Sequence, residues 1–405
     1  MNSRRSLLLS EIFPPHVGGS GRWFWEIYRR LPAEEYAIAA GEHPQQKEFD
    51  AEQPCDITRF PLMMRQWGVR SWEGLRGYGS AIRRLRRFAQ KRNVRMVHCG
   101  RCLPEGVMAL ALKWSLRVPY LCYVHGEDIG TARNSREHAM LARRVLRNAV
   151  VCIANSGNTA RLLREQWRLS PQQIHVLNPG VDTNYFVPVE RDPEIRQRLG
   201  WSHRPVVLTV GRLQRRKGHD TLIRALPAIR KCVPHVLYAI VGEGDERGYL
   251  EGLVRECDVT SQVQFLGNLA DAELLECYQQ CDLFCLPNRE IDGDIEGFGM
   301  VLVEAQACGK PVVAGCSGGT SETMNVGATG LVVDCTSPEP LAAAIVRLLS
   351  DTRLREAMGS DARCFVRERF DWAKLAAEAR ALFETTSNLR RRNNRELVVA
   401  TKDDA

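Results

Sequence analysis

No run of 18 uninterrupted apolar residues occurs in the 405-residue chain, so no membrane-spanning helix is expected. The opening MNSRRSLLLSEIFPPH carries two arginines before Ser6 but only a short apolar run. A secretory signal needs an apolar core of roughly 7–15 residues, so a buried first strand is expected instead, and secretion is not. A disulfide framework is missing too. The 14 cysteines are scattered singly, and Cys99 and Cys102 form a lone C-x-x-C with no second pair at zinc spacing. They read as buried thiols in a reducing cytosol. No phosphate-binding G-x-x-x-x-G-K-[ST] is present, and Gly18, Gly19 and Gly21 do not form a dinucleotide fingerprint. No D-x-D-type metal site stands out. Asp292-Gly293-Asp294 comes nearest and reads as a loop, so no metal and no other cofactor is expected.

What the chain does have is a basic surplus in one half. Residues 1–183 hold 28 Lys and Arg against 16 Asp and Glu, a charge of +12; the remainder holds 28 against 32, a charge of −4. The surplus peaks at RRLRRFAQKR, residues 83–92. This is expected to be a helix near 82–92 with Ile82, Leu85 and Phe88 or Ala89 inward and Arg83, Arg84, Arg86, Arg87, Lys91 and Arg92 outward. It reads either as a solvated face or as a dock for anionic lipid head groups. Nucleic acid is not expected as a partner, because no aromatic interleaving or reader motif accompanies the charge. The expected location is the cytoplasm, with peripheral attachment to the inner face of the cell membrane as the alternative this helix raises.

Apolar content of 44% and charged content of 26% are those of a globular protein, and the length points to two domains. Short β-rich runs recur at 6–10, 36–40, 94–99, 119–124, 149–154 and 174–177, then at 205–210, 236–241, 263–266, 282–286, 311–314 and 330–333. Most are followed by a helical pattern, which predicts two parallel-sheet α/β domains. The join is expected in NPGVDTNYFVP, residues 178–188, which has two prolines and no helical period. That gives a first domain over 1–180 and a second over 181–371. A helix at 372–386 packs back on the first, and an unstructured tail runs over 387–405.

Ligands of such sheets sit outside the carboxyl ends of the strands, and three strand ends there carry chemistry. After 205–210 comes GRLQRRKGH, with Arg212, Arg215, Arg216 and Lys217 ahead of a helix. Cations beside a helix N-terminus make an anion site. After 282–286 comes PNREIDGDIEGFG and then the helix MVLVEAQAC. Glu296 and Glu304 stand eight positions apart, roughly 12 Å along a helix. That exceeds the roughly 5–9.5 Å of a hydrolytic carboxylate pair, and suits hydroxyls at the two ends of a ligand with an anionic middle. A nucleoside diphosphate sugar has that shape. After 119–124 comes HGED, where His125 sits at a strand end in position to touch a substrate.

These stretches resemble glycosyltransferase family four, the retaining group with the GT-B fold. The likeness runs over about residues 5–385 and includes the GG loop after the first strand, HGED, NPGVD, GRLQRRKG, VGEGDE, VQFLGNL and EGFGMVLVEAQACGKPVVAGCSGGTSETM. FPPHVGG, EAQACG and AGCSGG look most like mannosyltransferases that build phosphatidylinositol mannosides. The common linker form is PNGVD, and NPGVD here is expected to alter a turn. The resemblance implies two Rossmann-like domains facing an inter-domain cleft, and a retaining, metal-independent transfer of a hexose from a nucleotide sugar to a lipid-linked or glycan acceptor. GDP-mannose is the preferred donor. UDP-glucose, UDP-N-acetylglucosamine and UDP-galactose are the alternatives, and a non-catalytic nucleotide- or membrane-binding protein is the reading from another class. The catalytic set implied is His125, Arg212, Lys217 and Glu296. The donor set is Gly19, Gly211, Arg212, Lys217, Gly242, Leu269, Glu296, Gly297, Phe298, Gly299 and Glu304. In it, Arg212 and Lys217 neutralise the diphosphate, with Arg215 or Arg216 able to share that role. Glu304 takes the ribose hydroxyls. Glu296 and the amides of 297–299 hold the sugar and its distal phosphate, and His125 lies near the sugar's 6-hydroxyl.

Overall fold

The computed structural model describes residues 5–400 except Val17 and Arg65, with side chains described as far as Ser387. The chain folds as two compact units, one up to Asn178 together with the residues from Trp372 onward, the other Pro179–Asp371.

The first unit holds a seven-stranded sheet. Its strands are β1 (Ser6–Ser10), β2 (Tyr36–Gly41), β3 (Asp56–Phe60), β4 (Met96–Cys99), β5 (Tyr120–Val124), β6 (Cys152–Ala154) and β7 (Ile174–Val176), in the order β3-β2-β1-β4-β5-β6-β7. All pairings are parallel. The central strands are buried on both faces, as the continuous runs LLL, AIAA and YLCYV require. β3 is an addition to the strands expected from sequence. DITRF pairs only with β2 and is half-buried throughout, so it lacks the apolar run that marks its neighbours.

The second unit repeats the plan with six parallel strands: β8 (Val206–Val210), β9 (Leu237–Val241), β10 (Val263–Gly267), β11 (Leu283–Leu286), β12 (Val312–Gly315) and β13 (Gly330–Val333). The order β10-β9-β8-β11-β12-β13 reverses direction at β8/β11. In the first unit the reversal falls at β1/β4. Chain segments leaving adjacent strands at such a point turn to opposite faces of the sheet and leave a crevice above it.

The basic helix is Trp72–Lys91, ten residues longer toward its start than the charge pattern indicated; the Ser71 hydroxyl caps it by accepting from the Gly74 amide at 3.0 Å. Leu85 and Ala89 are buried, and Ile82 and Phe88 half-buried. The closing helix, Trp372–Ala400, also outruns its expected end at 386. No Gly or Pro interrupts residues 372–400, so nothing in the backbone stops it there, and the helix covers most of the stretch expected to be an unstructured tail. Residues 401–405 lie outside the described residues. Phe383 of this helix packs against Tyr28, Tyr36 and His98 of the first unit. At the join, Val181 pairs with Asp371, its amide donating to the Phe370 carbonyl at 2.8 Å.

Candidate active site

The second unit builds its site from the two segments that leave β8 and β11. After β8 the chain passes Gly211 and Arg212, makes a 3-10 turn at Arg215–Lys217, and enters the helix His219–Cys232 through Gly218. This path is fixed by backbone contact. A Cβ at Gly218, which has φ +74°, would lie 1.8 Å from the Pro287 carbonyl oxygen just beyond β11. A Cβ at Gly242, with φ +126°, would lie 2.2 Å from the Gly211 oxygen. The loops after β8, β9 and β11 therefore lie directly on one another, and only glycine permits it.

The 3-10 turn hides two of its three cations. Arg215 is exposed, whereas Arg216 is 5% and Lys217 8% exposed. Both reach Glu296. Its Oε2 accepts from Nζ of Lys217 at 2.5 Å and from Nη1 of Arg216 at 2.6 Å. Burial would raise this carboxyl, but the charges of Lys217 and Arg216 and their hydrogen bonds outweigh it and bring it down to about 2. Glu296 is therefore an anion at any ordinary pH. Nε of Arg216 lies 3.1 Å from Asp294, inside the 292–294 turn. Behind these, His219 is buried with Nδ1 against the Tyr238 hydroxyl at 2.9 Å, and burial with the nearby Lys217 charge lowers its pKa to about 4.

Gly297, Phe298 and Gly299 lead into the helix Met300–Ala307, with Gly299 at φ +96° as its first cap. The Phe298 ring is part of the hydrophobic core and packs edge-on against Phe370, so only its backbone is available to a ligand. Glu304 is 7% exposed and accepts from the Tyr278 hydroxyl at 2.7 Å. Leu269 follows β10 and packs half-buried on the same core. Arg212 is exposed beside the turn.

Sequence reasoning placed Lys217 and Glu296 in one site, and the structure brings them into contact. It also adds two side chains. Arg216 entered that reading only as an alternative phosphate ligand, and it is the second clamp on Glu296. Tyr278, the partner of Glu304, gave no signal in the sequence, because it sits in a helix, DAELLECYQQ, that carries no motif. Gly318 was likewise unforeseen: a Cβ there would lie 1.8 Å from the Glu296 carbonyl oxygen, which accepts from the Gly319 amide at 2.9 Å. The AGCSGG turn thus pins the backbone of Glu296.

In the first unit, His125 ends β5. Its Nε2 faces the Gly100 carbonyl at 2.7 Å and so must carry a proton, which leaves Nδ1 as the other polar edge. The ring packs edge-on to Trp23 and Phe24, both on the helix Gly19–Tyr28 that follows β1. Gly19, exposed at the start of that helix, and His125 thus belong to one region of this unit. Among the described residues no group of three or more His, Cys, Asp or Glu side chains is placed to hold a metal ion.

Comparison with known proteins agrees with this architecture. Residues 17–185 match the model described as Glycosyltransferase Family 4, and residues 191–365 that described as Glycosyl transferases group 1. The chain is 33% identical over 380 residues to a GDP-mannose-dependent alpha-(1-6)-phosphatidylinositol monomannoside mannosyltransferase of Mycobacterium tuberculosis, covering 92% of this chain and 96% of that one. It is 32% identical over 378 residues to the enzyme of the same description from Mycolicibacterium smegmatis, covering 90% and 94%. Sucrose-phosphate synthase from Thermosynechococcus elongatus has the same two-domain fold, GT-B, with a TM-score of 0.79 at 24% identity over 95% of this chain and 100% of that one. Matched along both domains and nearly end to end, this chain belongs to the family 4 glycosyltransferases and is a hexosyltransferase.

Proposed function

We propose that the enzyme transfers mannose from GDP-mannose to a phosphatidylinositol-linked acceptor, with retention of anomeric configuration and without a metal. The observation that carries this reading is the buried Lys217–Glu296–Arg216 group at the β8/β11 reversal, in a chain about one-third identical to mannosyltransferases of that description.

The chemistry follows from charge. As the bond from the anomeric carbon to the donor phosphate breaks, negative charge grows on the leaving diphosphate. Lys217 and Arg212, with the amides of 297–299 at the start of the helix Met300–Ala307, supply donors to that charge. Donors in place where charge develops stabilise the transition state more than the ground state. Glu304, oriented by Tyr278, takes the ribose hydroxyls, and Glu296 takes those of the sugar. Gly211, Gly242 and Leu269 line the nucleotide with backbone. In the first domain, His125 offers Nδ1 to a sugar hydroxyl and Gly19 offers its amide. No carboxylate is assigned as a nucleophile. The acceptor attacks on the leaving-group side, and the donor phosphate takes its proton.

The acceptor end is read from the helix Trp72–Lys91. Arg83, Arg84, Arg86, Arg87 and Lys91 are all exposed along it, and Arg92 beyond its end pairs with Asp56 at 2.6 Å. Trp72 is 78% and Leu75 49% exposed on the same helix. A cavity of 310 Å³ opens beside it, lined among others by Leu62, Met63, Met64, Gly77 and Arg84. Exposed arginines next to exposed apolar side chains suit an anionic membrane surface. No helix among the described residues is long and apolar enough to cross a membrane.

A thermal-shift panel of GDP, UDP and ADP tests the donor. At about 100 times its dissociation constant, a ligand adds about 2.7 kcal/mol to stability. GDP is expected to raise the melting temperature most. A larger rise with UDP would replace the base, and no rise with any of the three would remove the proposed site.

A further inference from the structure

Arg216 stands in a different situation from the lysine beside it. Both donate to the same oxygen of Glu296, and Arg216 is held from several further directions. Its Nε faces Asp294 at 3.1 Å. Its carbonyl accepts from the Arg289 amide at 2.8 Å. Arg289 is in turn clamped on both oxygens of Asp220, at 2.9 and 2.8 Å, and on the Thr221 hydroxyl. The carboxylate it holds is equally fixed, because Gly318 and Gly319 pin the Glu296 backbone. A planar guanidinium can hold Asp294 and Glu296 at once, whereas the lysine ammonium sits on a flexible stem and turns readily.

We propose that Arg216 is a positioning residue for the transfer reaction: it is the standing partner of Glu296, and it keeps that carboxylate in place when the donor's diphosphate draws Lys217 away. The inference rests on the diphosphate reading of the site. Lys217 is engaged by a protein carboxylate, and a donor diphosphate that recruits its ammonium competes with that contact. A buried carboxylate that loses its only partner is strongly disfavoured. Glu296 has a second partner, and so Lys217 is released without leaving Glu296 unpaired. In the absence of Arg216, Glu296 either retains Lys217, which withholds that cation from the diphosphate, or takes up a proton, which disables it as an acceptor for sugar hydroxyls.

The charged groups around Glu296 come from a few elements. The 3-10 turn brings Arg216 and Lys217, and its own loop brings Asp294. Arg289 is committed to Asp220. His219 is buried behind Lys217 and neutral. The turn Gly315–Gly319 carries no titratable side chain but Cys316, and Glu304, on the helix that follows Glu296, accepts from Tyr278.

Three variants and one preliminary measurement test this. Calorimetric titration of the unaltered enzyme with GDP, UDP and ADP comes first: absence of binding defeats the diphosphate reading itself, separately from anything Arg216 does. Then kcat is measured across pH with saturating donor sugar. The unaltered enzyme is expected to show no acid limb from Glu296 in its working range. Arg216→Gln should lower kcat at least about tenfold at acidic pH, with partial recovery as pH rises, while the donor KM changes less than about threefold. Lys217→Ala removes a donor to the leaving diphosphate and should lower kcat at least about tenfold at every pH, without a new acid limb. Arg216→Lys keeps a cation for Glu296, so the acid limb should vanish from the working range as in the unaltered enzyme, with kcat still reduced by the lost grip on Asp294. An Arg216→Gln profile parallel to that of the unaltered enzyme, unchanged or uniformly lowered, would overturn the proposal. So would Arg216→Lys showing the same acid limb as Arg216→Gln. If the glutamine variant does not fold, an acid limb inside the working range in Arg216→Lys, where the unaltered enzyme has none, overturns it instead.

Discussion

Glu105, at the start of the helix Glu105–Leu116, has no exposed surface. Its Oε1 accepts from the Glu11 amide at 2.9 Å, but the Arg101 guanidinium stays 3.8 Å away. Burial pushes this carboxyl up to about 7, and the Arg101 charge and the amide only partly offset it. A folded-state pKa above the unfolded value means that the folded protein holds a proton the unfolded chain releases. Its contribution is complete below about pH 4.5 and is lost as pH rises through about 7. Glu105→Gln keeps the acceptor for the Glu11 amide and removes the titration. Between about pH 5 and pH 8 the unaltered protein should lose on the order of 1–3 kcal/mol that the variant does not. Denaturant melts at the two pH values measure it, and equal losses in both proteins would show that Glu105 is already ionised in the fold. Glu296 shows the opposite environment for the same side chain. Residue type alone did not separate them. Glu296 was legible because it lies in a motif at a strand's carboxyl end. Glu105 lies in LPEGVMAL, where nothing local announces a buried carboxyl, and the long-range approach of Glu11 decides its state. Arg216 and Tyr278 belong to the same class, since their partners lie 80 and 26 positions away.

Elements were easier to read than single side chains. Twelve of the thirteen strands follow from short apolar runs, because a parallel strand covered on both faces needs an apolar residue at every position. The exception, β3, reads DITRF, where Asp56 and Arg59 break any apolar run; it is an edge strand, as are β7, β10 and β13, which keep short apolar runs. Helix starts and stops were less legible. The Ser71 cap lies about ten residues upstream of the charge run that drew attention to the helix, and the closing helix has no breaker to mark its end. The glycines of the loops carry information of another kind, because their requirement comes from what crosses them. Gly318, at φ +72°, lies against the Glu296 carbonyl, whereas Gly248, in the helix Arg247–Glu256, would have nothing within 4 Å of an added Cβ. Alanine at these two sites should therefore act in opposite directions. Gly248→Ala should stabilise by roughly 0.5–1 kcal/mol through helix propensity. Gly318→Ala should destabilise by several kcal/mol and, by displacing Glu296, weaken nucleotide binding as well. Paired urea melts with a GDP titration read both effects. A neutral Gly318→Ala would mean that the two turns separate easily and that Glu296 is not pinned.

At the scale of the whole molecule, the two sheets share one plan and differ in charge. The first half, with its +12, and the remainder, with its −4, divide the labour that the proposed function requires, the one facing an anionic lipid acceptor and the other holding a nucleotide sugar. The second needs only a few buried cations, Arg216 and Lys217, which the loop after β8 supplies. The first displays its cations on an outer face, and their arrangement decides what they can do. Trp72, Arg76, Arg83 and Arg87 fall on one stripe of the helix Trp72–Lys91, set by its three- and four-residue periodicity, so an aromatic side chain and several guanidinium groups meet one plane together. Each basic side chain near an anionic bilayer contributes about 1 kcal/mol. Glutamine at Arg83, Arg84, Arg86 and Arg87 should therefore weaken binding to vesicles containing phosphatidylinositol by about 4 kcal/mol, close to a thousandfold in partition. Because the charges lie at the surface, raising the salt toward about 1 M should abolish the difference between the two proteins. Trp72→Ala should cost less and should do so at every salt concentration, since it removes apolar contact and not charge. Sedimentation with vesicles of anionic and of neutral lipid separates these terms. If the unaltered protein stays in the supernatant with anionic vesicles at low salt, the exposed arginines are only a solvated face, and the acceptor must reach the enzyme without a membrane to present it.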